Sequence, residues 1–246
     1  MEQRTTGGGG LSNKLLTILS FAVLSFNVYG QNSSGGNSVY IDQVNADAST
    51  ISITQTGSNN TIGDPNSLTT PAFVFDGNGI TANITQDGMN NSITGGIIGG
   101  GTTATINQTG NSNSTNLNMG NMGTDNGNLN IGITGNNNTT GLNIGTLRDS
   151  SNYNYSLSIT GNSNAVTSTI NSKNTNNNIQ VAGDSNTITT TQSGSNGSST
   201  TGGHAISINN IGSNNSINVS QNGTTTPNSV TVNLTGNGAA VNVIQH

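Results

Sequence analysis

The chain has 246 residues, of which 28% are hydrophobic and 5% charged, with neither Cys nor Trp and a formal net charge of −5. So thin an apolar supply excludes an ordinary globular core, and the scarcity of Lys and Arg, four in all, excludes a basic nucleic-acid surface. Disorder would need high net charge as well, whereas here the polarity comes mostly from neutral residues, including 46 Asn and 35 Gly. Carboxamide-rich sequence of this kind is prone to β-stacking, because amides hydrogen-bond to copies of themselves.

Residues 1–30 have the form of a secretory leader. Arg4 and Lys14 are basic, Leu15 to Leu24 is mainly apolar, and the segment closes on Val28-Tyr29-Gly30, where a peptidase has access to a small residue. Its amino-terminal part is long and Gly-rich for a leader. A membrane span needs about 20 apolar residues; this run is shorter, so the segment predicts export without membrane insertion. Once it is removed, Arg148 and Lys173 stand against eight Asp, a net charge of −6. With no Cys, an exported chain must be held by backbone ladders and close packing. Residues 31–48 form an N-terminal segment in which Val39-Tyr40-Ile41-Asp42-Gln43 has the pattern of a partial rung.

From residue 49 to 246 one phrase recurs. It reads Gln55-x-Gly57-x2-Asn60, then Gln86-x-Gly88-x2-Asn91, then Gln108-x-Gly110-x2-Asn113, and continues in altered form. The turn glycines Gly57, Gly88, Gly110, Gly135, Gly161, Gly183, Gly212 and Gly236 are separated by 31, 22, 25, 26, 22, 29 and 24 residues. Four residues before each stands an aliphatic residue: Ile53, Ile84, Ile106, Ile131, Leu157, Ile179, Ile208 and Val232. Two before stand Gln55, Gln86 and Gln108, then Ile133, Ile159, Val181, Asn210 and Leu234. Three after stand Asn60, Asn91, Asn113, Asn138, Asn164, Asn186 and Asn215, with Ala239 last. Nine after, from the second unit on, come Ile97, Met119, Ile144, Ile170, Gln192, Gln221 and Gln245.

These offsets place one face of each strand in register, because successive side chains of a strand alternate sides. One face is apolar plus carboxamide; the other is Ser, Thr and Asn. A unit this thin buries nothing alone, so units must cover one another, as in all repeat proteins. The expected fold is all-β: a β-solenoid of stacked strand-turn-strand rungs, with aliphatic ridges inside and Gln and Asn columns forming amide ladders. Glycine at the reference position suits a turn that needs positive φ, and no helical period follows residue 30. The longer gaps predict loops at one edge, the largest from Asp64 to Gly79 and another from Gly194 to Gly203.

The columns resemble the curlin family, the subunits of bacterial curli amyloid fibres, whose unit runs Ser-x5-Gln-x-Gly-x2-Asn-x-apolar-x3-Gln. Ser49, Gln55, Gly57, Asn60 and Ile62 match its first part. Asn186-x-Ile188-x3-Gln192 and Asn215-x-Ile217-x3-Gln221 match its second. The resemblance covers roughly residues 49–245, although only three of the eight glycines carry the preceding Gln and the leading Ser is usually absent. It implies a homopolymer: secretion through an outer-membrane apparatus, assembly into extracellular fibres with a nucleating subunit, and a role in adhesion and biofilm matrix.

Little else in the chain carries chemistry. His204 and His246, in a Gly-rich loop and at the C-terminus, are expected to be solvated, and no acidic or Cys cluster accompanies either, so neither catalysis nor a metal or cofactor is expected. Asp76-Gly77-Asn78-Gly79 and Asp125-Asn126-Gly127-Asn128 have a calcium-loop look but no closing Glu, and turn chemistry accounts for them. Two other readings stay open. A capped, monomeric solenoid would serve as an adhesin or phage fibre domain. A threonine ridge at Thr56, Thr109, Thr134, Thr160 and Thr235, interrupted by Asp87, Ala182 and Ile211, would suit ice binding. Against capping, the chain ends on Val241-Asn242-Val243-Ile244-Gln245-His246, an almost uncharged edge strand.

Overall fold

The computed structural model describes residues 16–18, 27–30, 35–45, 47–64, 72–119, 127–144, 154–172, 175–194, 203–223 and 228–246. Arg148, Lys173, Asp125 and most of the expected loop at 194–203 lie outside them. Among the described residues every regular element is a strand.

The chain opens with β1 (Leu16–Ile18), β2 (Asn27–Gly30) and β3 (Ser38–Val44). The first full rung runs out along β4 (Thr50–Ser58) and back along β5 (Thr61–Ile62) and β6 (Phe73–Asp76). Rungs two to four are β7 (Thr81–Met89) with β8 (Ser92–Ile98), β9 (Thr103–Thr109) with β10 (Ser114–Met119), and β11 (Asn128–Thr134) with β12 (Thr139–Ile144). Rungs five and six are β13 (Asn154–Thr160) with β14 (Ala165–Ser172), and β15 (Asn176–Ala182) with β16 (Thr187–Gly194). The last two are β17 (Ala205–Ile211) with β18 (Ser216–Asn222), and β19 (Ser229–Thr235) with β20 (Ala240–Gln245).

Outgoing strands form one sheet in the order β1-β4-β7-β9-β11-β13-β15-β17-β19. Returning strands form the other, β2-β3-β5-β8-β10-β12-β14-β16-β18-β20, with β6 paired to β3 and β8. From β3 and β4 onward every pairing is parallel and without slip: Ile53 lies over Ile84, Ile84 over Ile106, and so to Ile208 over Val232. The molecule is a two-sheet β-solenoid. Its core is the space between the sheets, filled from the outgoing side by residues such as Ile84, Ile106 and Ile131 and from the return side by Ile93, Leu117 and Ile144, all buried. Each such side chain removed from water is worth roughly 1.5–3 kcal/mol.

The strand ladder corrects two expectations. The segment from Asp64 to Gly79 is not one loop, because β6 rejoins the return sheet and Phe75 stands opposite Ile97, in the column nine residues after a turn glycine elsewhere. The insertion has split the return strand in two, and Phe73 and Phe75, fully buried with ring centroids 5.1 Å apart, fill the gap. The partial rung at 31–48 is a complete return strand: Val39 pairs with Ile62, and Gln43 with Phe75. At this end β1 lies antiparallel on β4 and β2 antiparallel on β3.

Candidate assembly interface: ladders, turns and the open end

The turn between the two sheets is built the same way in every rung. The reference glycine has positive φ, from 97° at Gly57 to 137° at Gly236, and so does the residue two further on: Asn59, Asn90, Ser112, Asn137, Ser163, Ser185, Asn214 and Gly238. Two left-handed residues in four turn the chain sharply, and Gly, Asn and Ser are the types that tolerate it. Stacking adds a second demand. A Cβ built on Gly135 would lie 1.9 Å from the carbonyl oxygen of Gly161, and the other turn glycines meet the glycine of the next rung equally closely, save Gly236, which has nothing over it.

Three residues on, the Asn column forms a continuous ladder. Asn138 donates from both its backbone N–H (3.1 Å) and Nδ2 (3.1 Å) to Oδ1 of Asn113, and Nδ2 also reaches the Gly161 carbonyl at 2.8 Å. Each amide therefore ties three rungs together. The pattern repeats at Asn60, Asn91, Asn113, Asn164 and Asn186. Asn215 departs from it in one bond: its Nδ2 turns to Oδ1 of Asn210 at 2.9 Å in place of Asn186, while its backbone N–H keeps Asn186 and Nδ2 still reaches the Gly236 carbonyl at 2.8 Å. The ladder starts one step earlier than the repeat predicts: Asn37 Oδ1 accepts from the backbone N–H (3.0 Å) and Nδ2 (3.2 Å) of Asn60. It ends where Ala239 donates its N–H to Asn215 and has no amide to pass on.

The glutamines form two ladders on opposite sheets. On the outgoing sheet Gln55 donates to Gln86 at 2.7 Å and Gln86 to Gln108 at 2.9 Å; the run closes where Gln108 turns to Thr115 Oγ1 at 2.8 Å, because Ile133 follows in the column. On the return sheet Gln192 donates to Gln221 at 2.9 Å and Gln221 to Gln245 at 3.1 Å. In both runs Nε2 of the earlier rung donates to Oε1 of the later one. Where the Gln column passes through Asn210, its Nδ2 is buried with no partner among the described residues.

A further ladder was not foreseen. One residue after the glycine, Met89 N–H donates to Asn111 Oδ1, Asn111 to Asn136, Asn136 to Asn162, Asn162 to Asp184, Asp184 to Ser213 Oγ, and Ser213 to Asn237, at 2.6–3.0 Å. Here the acceptor always sits on the later rung, opposite in sense to the buried Asn ladder. The signal was present: Asn111, Asn136, Asn162, Asp184, Ser213 and Asn237 are all short side chains bearing an acceptor.

His204 corrects an expectation. It is fully buried, with Nε2 3.1 Å from the Gly223 carbonyl and Nδ1 accepting from the Asn228 N–H at 3.2 Å, so it closes the corner between return and outgoing strands. His246 is exposed, as expected. Asp76 and Asn78 serve turns, accepting from Asn45 Nδ2 and the Asp47 N–H. The threonines at 56, 109, 134, 160 and 235 are exposed on one sheet face, with Ile211, 47% exposed, in the same column.

The two ends of the stack differ. At the last rung Leu234, Val241 and Val243 are only partly buried, although interior members of the same columns, such as Val181 and Ile217, are buried; Ile244, 58% exposed, lies on the outward face. Among the described residues no strand lies beyond β19 or β20. No family model, curated protein or solved structure matches the chain.

Proposed function

We propose that this chain is an extracellular structural subunit that polymerises end to end into curli-like cross-β fibres, giving cohesion and surface adhesion to a biofilm matrix. The observation that carries the reading is the open last rung, a bondable strand edge backed by uncovered Leu234, Val241 and Val243. Its partners are further copies of itself, with a nucleating subunit and an outer-membrane secretion apparatus as the further expectation. The work is done by the polymer, without substrate turnover, metal or cofactor. A second reading, a monomeric solenoid adhesin, is favoured where residues 1–30 are retained, because β1 and β2 then cover the opposite end.

Thioflavin fluorescence and fibre diffraction on the purified chain distinguish the two. Polymers with a meridional spacing of about 4.8 Å are expected. The Gln221→Ala/Gln245→Ala double variant should elongate roughly tenfold more slowly, as loss of about 1.4 kcal/mol per joint requires, while remaining soluble and rich in β-structure. Monomers that persist with β circular dichroism would establish the adhesin instead.

A further inference from the structure

We propose that this chain carries a self-modification site: Asn237-Gly238, in the turn of the last rung, deamidates while the stack stays folded. The proposal stands whether or not copies of the chain polymerise.

The chemistry needs only the chain and water. The backbone nitrogen of the residue after an asparagine attacks the side-chain Cγ. A Cγ–N bond forms, the Cγ–Nδ2 bond breaks, and Nδ2 leaves as ammonia with the proton of the attacking N–H. Water then opens the cyclic imide at Cγ, which gives aspartate, or at the main-chain carbonyl, which gives isoaspartate. Glycine in second place favours the attack, because it has no Cβ to obstruct it.

Among the described residues Asn78, Asn222 and Asn237 precede a glycine; Asn126 and Asn196, which also do, lie outside them. Within its column Asn237 is singular. One residue after the turn glycine stand Asn111, Asn136, Asn162, Asp184, Ser213 and Asn237, and the residues that follow them are Ser112, Asn137, Ser163, Ser185, Asn214 and Gly238. All six followers have positive φ, between 56° and 68°. A Cβ added at Gly238 would meet nothing within 4 Å. The turn therefore accepts Asn or Ser at this place, as the earlier rungs do, and does not require Gly238.

Ser213 holds both reacting groups. Its N–H donates to Asn237 Oδ1 at 2.7 Å, on the oxygen that gains negative charge when Cγ is attacked. Its carbonyl accepts the Gly238 N–H at 3.0 Å, so attack waits on the opening of this one bond. Among the described residues no strand follows β19 or β20, and Asn237 and Gly238 are exposed and held from one side only. Local opening costs least at such an end. The other two pairs are held from both sides. Gly79 N–H donates to the Asp47 carbonyl at 2.7 Å, while the Asn78 carbonyl accepts from Gly101 at 2.8 Å. Gly223 N–H donates to the Ser193 carbonyl at 3.2 Å, while its own carbonyl lies 3.1 Å from His204 Nε2.

The two products differ in consequence. Aspartate suits the column, since Asp184 accepts there from the Asn162 N–H at 2.6 Å and from its Nδ2 at 3.2 Å. Isoaspartate lengthens the main chain within a turn whose length is the same in every rung. It displaces Ala239, whose N–H bonds Asn215 Oδ1 at 2.9 Å and whose carbonyl accepts from Ser216 at 2.8 Å, and with it the start of β20.

The test uses the full chain, held in mildly alkaline buffer and sampled over time. Peptide mapping by mass spectrometry, with enzymatic methyl labelling of isoaspartate, reads each site. Asn237 should convert roughly tenfold faster than Asn78 and Asn222 in the folded chain, and the three rates should converge in denaturant. Gly238→Asn should slow conversion at 237 roughly tenfold with circular dichroism unchanged. Asn237→Asp should unfold at the same denaturant concentration as the parent, whereas the isolated isoaspartate fraction should unfold at a lower one. Equal rates at the three sites in the folded chain, or a ranking that persists in denaturant, overturn the proposal, as does an unchanged rate in Gly238→Asn. Isoaspartate that leaves unfolding unaltered overturns the displacement of β20.

Discussion

Gly135 is held by two constraints that act separately. Its φ of 128° belongs to a region where a Cβ is strained, and an added Cβ would sit 1.9 Å from the Gly161 carbonyl. Three residues earlier Gly132, in the middle of β11, has ordinary φ and open space around its missing Cβ. Gly135→Ala is therefore expected to destabilise the fold by about 3 kcal/mol or more, and Gly132→Ala to stabilise it by about 0.5–1 kcal/mol, measured by denaturant unfolding. The turn glycines and the seven-member Asn column were legible in the sequence because the chemistry allows few substitutes there. Asn37 escaped because Ser34 stands where the turn glycine would have flagged the rung. His204 escaped because its column, through Ser49, Ile80, Thr102, Thr175 and Asn228, mixes polar and apolar residues and carries no pattern to read.

At the scale of the element, strands face each other with matched sizes. On β13 Tyr155 takes the place held by Ala82 and Ala104 in β7 and β9, and the facing β14 offers Ser168 where Leu117 and Leu142 stand in β10 and β12. The Tyr155 hydroxyl bonds Ser168 Oγ at 3.2 Å, and Thr190 of the next rung donates to the same Ser168 at 2.8 Å. Burial pushes the Tyr155 pKa from 10.0 up to about 12, against a smaller lowering by the Ser168 bond. The folded value lies above the unfolded one, so this tyrosine's contribution is complete below pH 10 and is lost as pH rises to about 12. Roughly 2–3 kcal/mol should disappear over that window, and in Tyr155→Phe this alkaline loss should shrink by that amount, followed by circular dichroism against pH. The strands themselves were readable from period-two alternation. The splitting of β5 from β6 was not, because Phe75 lies 18 residues after Gly57 where every later rung places this column at nine.

At the scale of the whole molecule, stability is a sum over neighbouring rungs, so a rung removed in register should leave the rest intact. Deleting residues 110–134 joins Thr109 to Gly135 and preserves each column: β9 runs into the Gly135 turn and returns along β12. It also brings Gln108 opposite Thr140, whose Oγ1 is buried without a partner among the described residues. This deletion should keep cooperative unfolding and the β spectrum, at a loss of about 1–4 kcal/mol for its 25 residues. Deleting 110–133 instead turns the side chains of β9 inside out relative to the turn and should abolish the fold. Stacked architecture was legible from the repeat alone. The unlike coverage of the two ends was not, because β1 and β2 pair antiparallel and belong to no column.

Length varies in this chain almost wholly at one corner. The path from turn glycine to Asn is constant, whereas the spans between β10 and β11, β12 and β13, β14 and β15, β16 and β17, and β18 and β19 differ from rung to rung. The described residues that flank these spans, such as Met119 and Asn128, Ile144 and Asn154, or Asn222 and Ser229, stand in register along one margin of the stack, at the strand ends opposite the turn glycines. Foreign peptides spliced there should be carried as regularly spaced decoration along the stack, with the stitching between rungs left as it was.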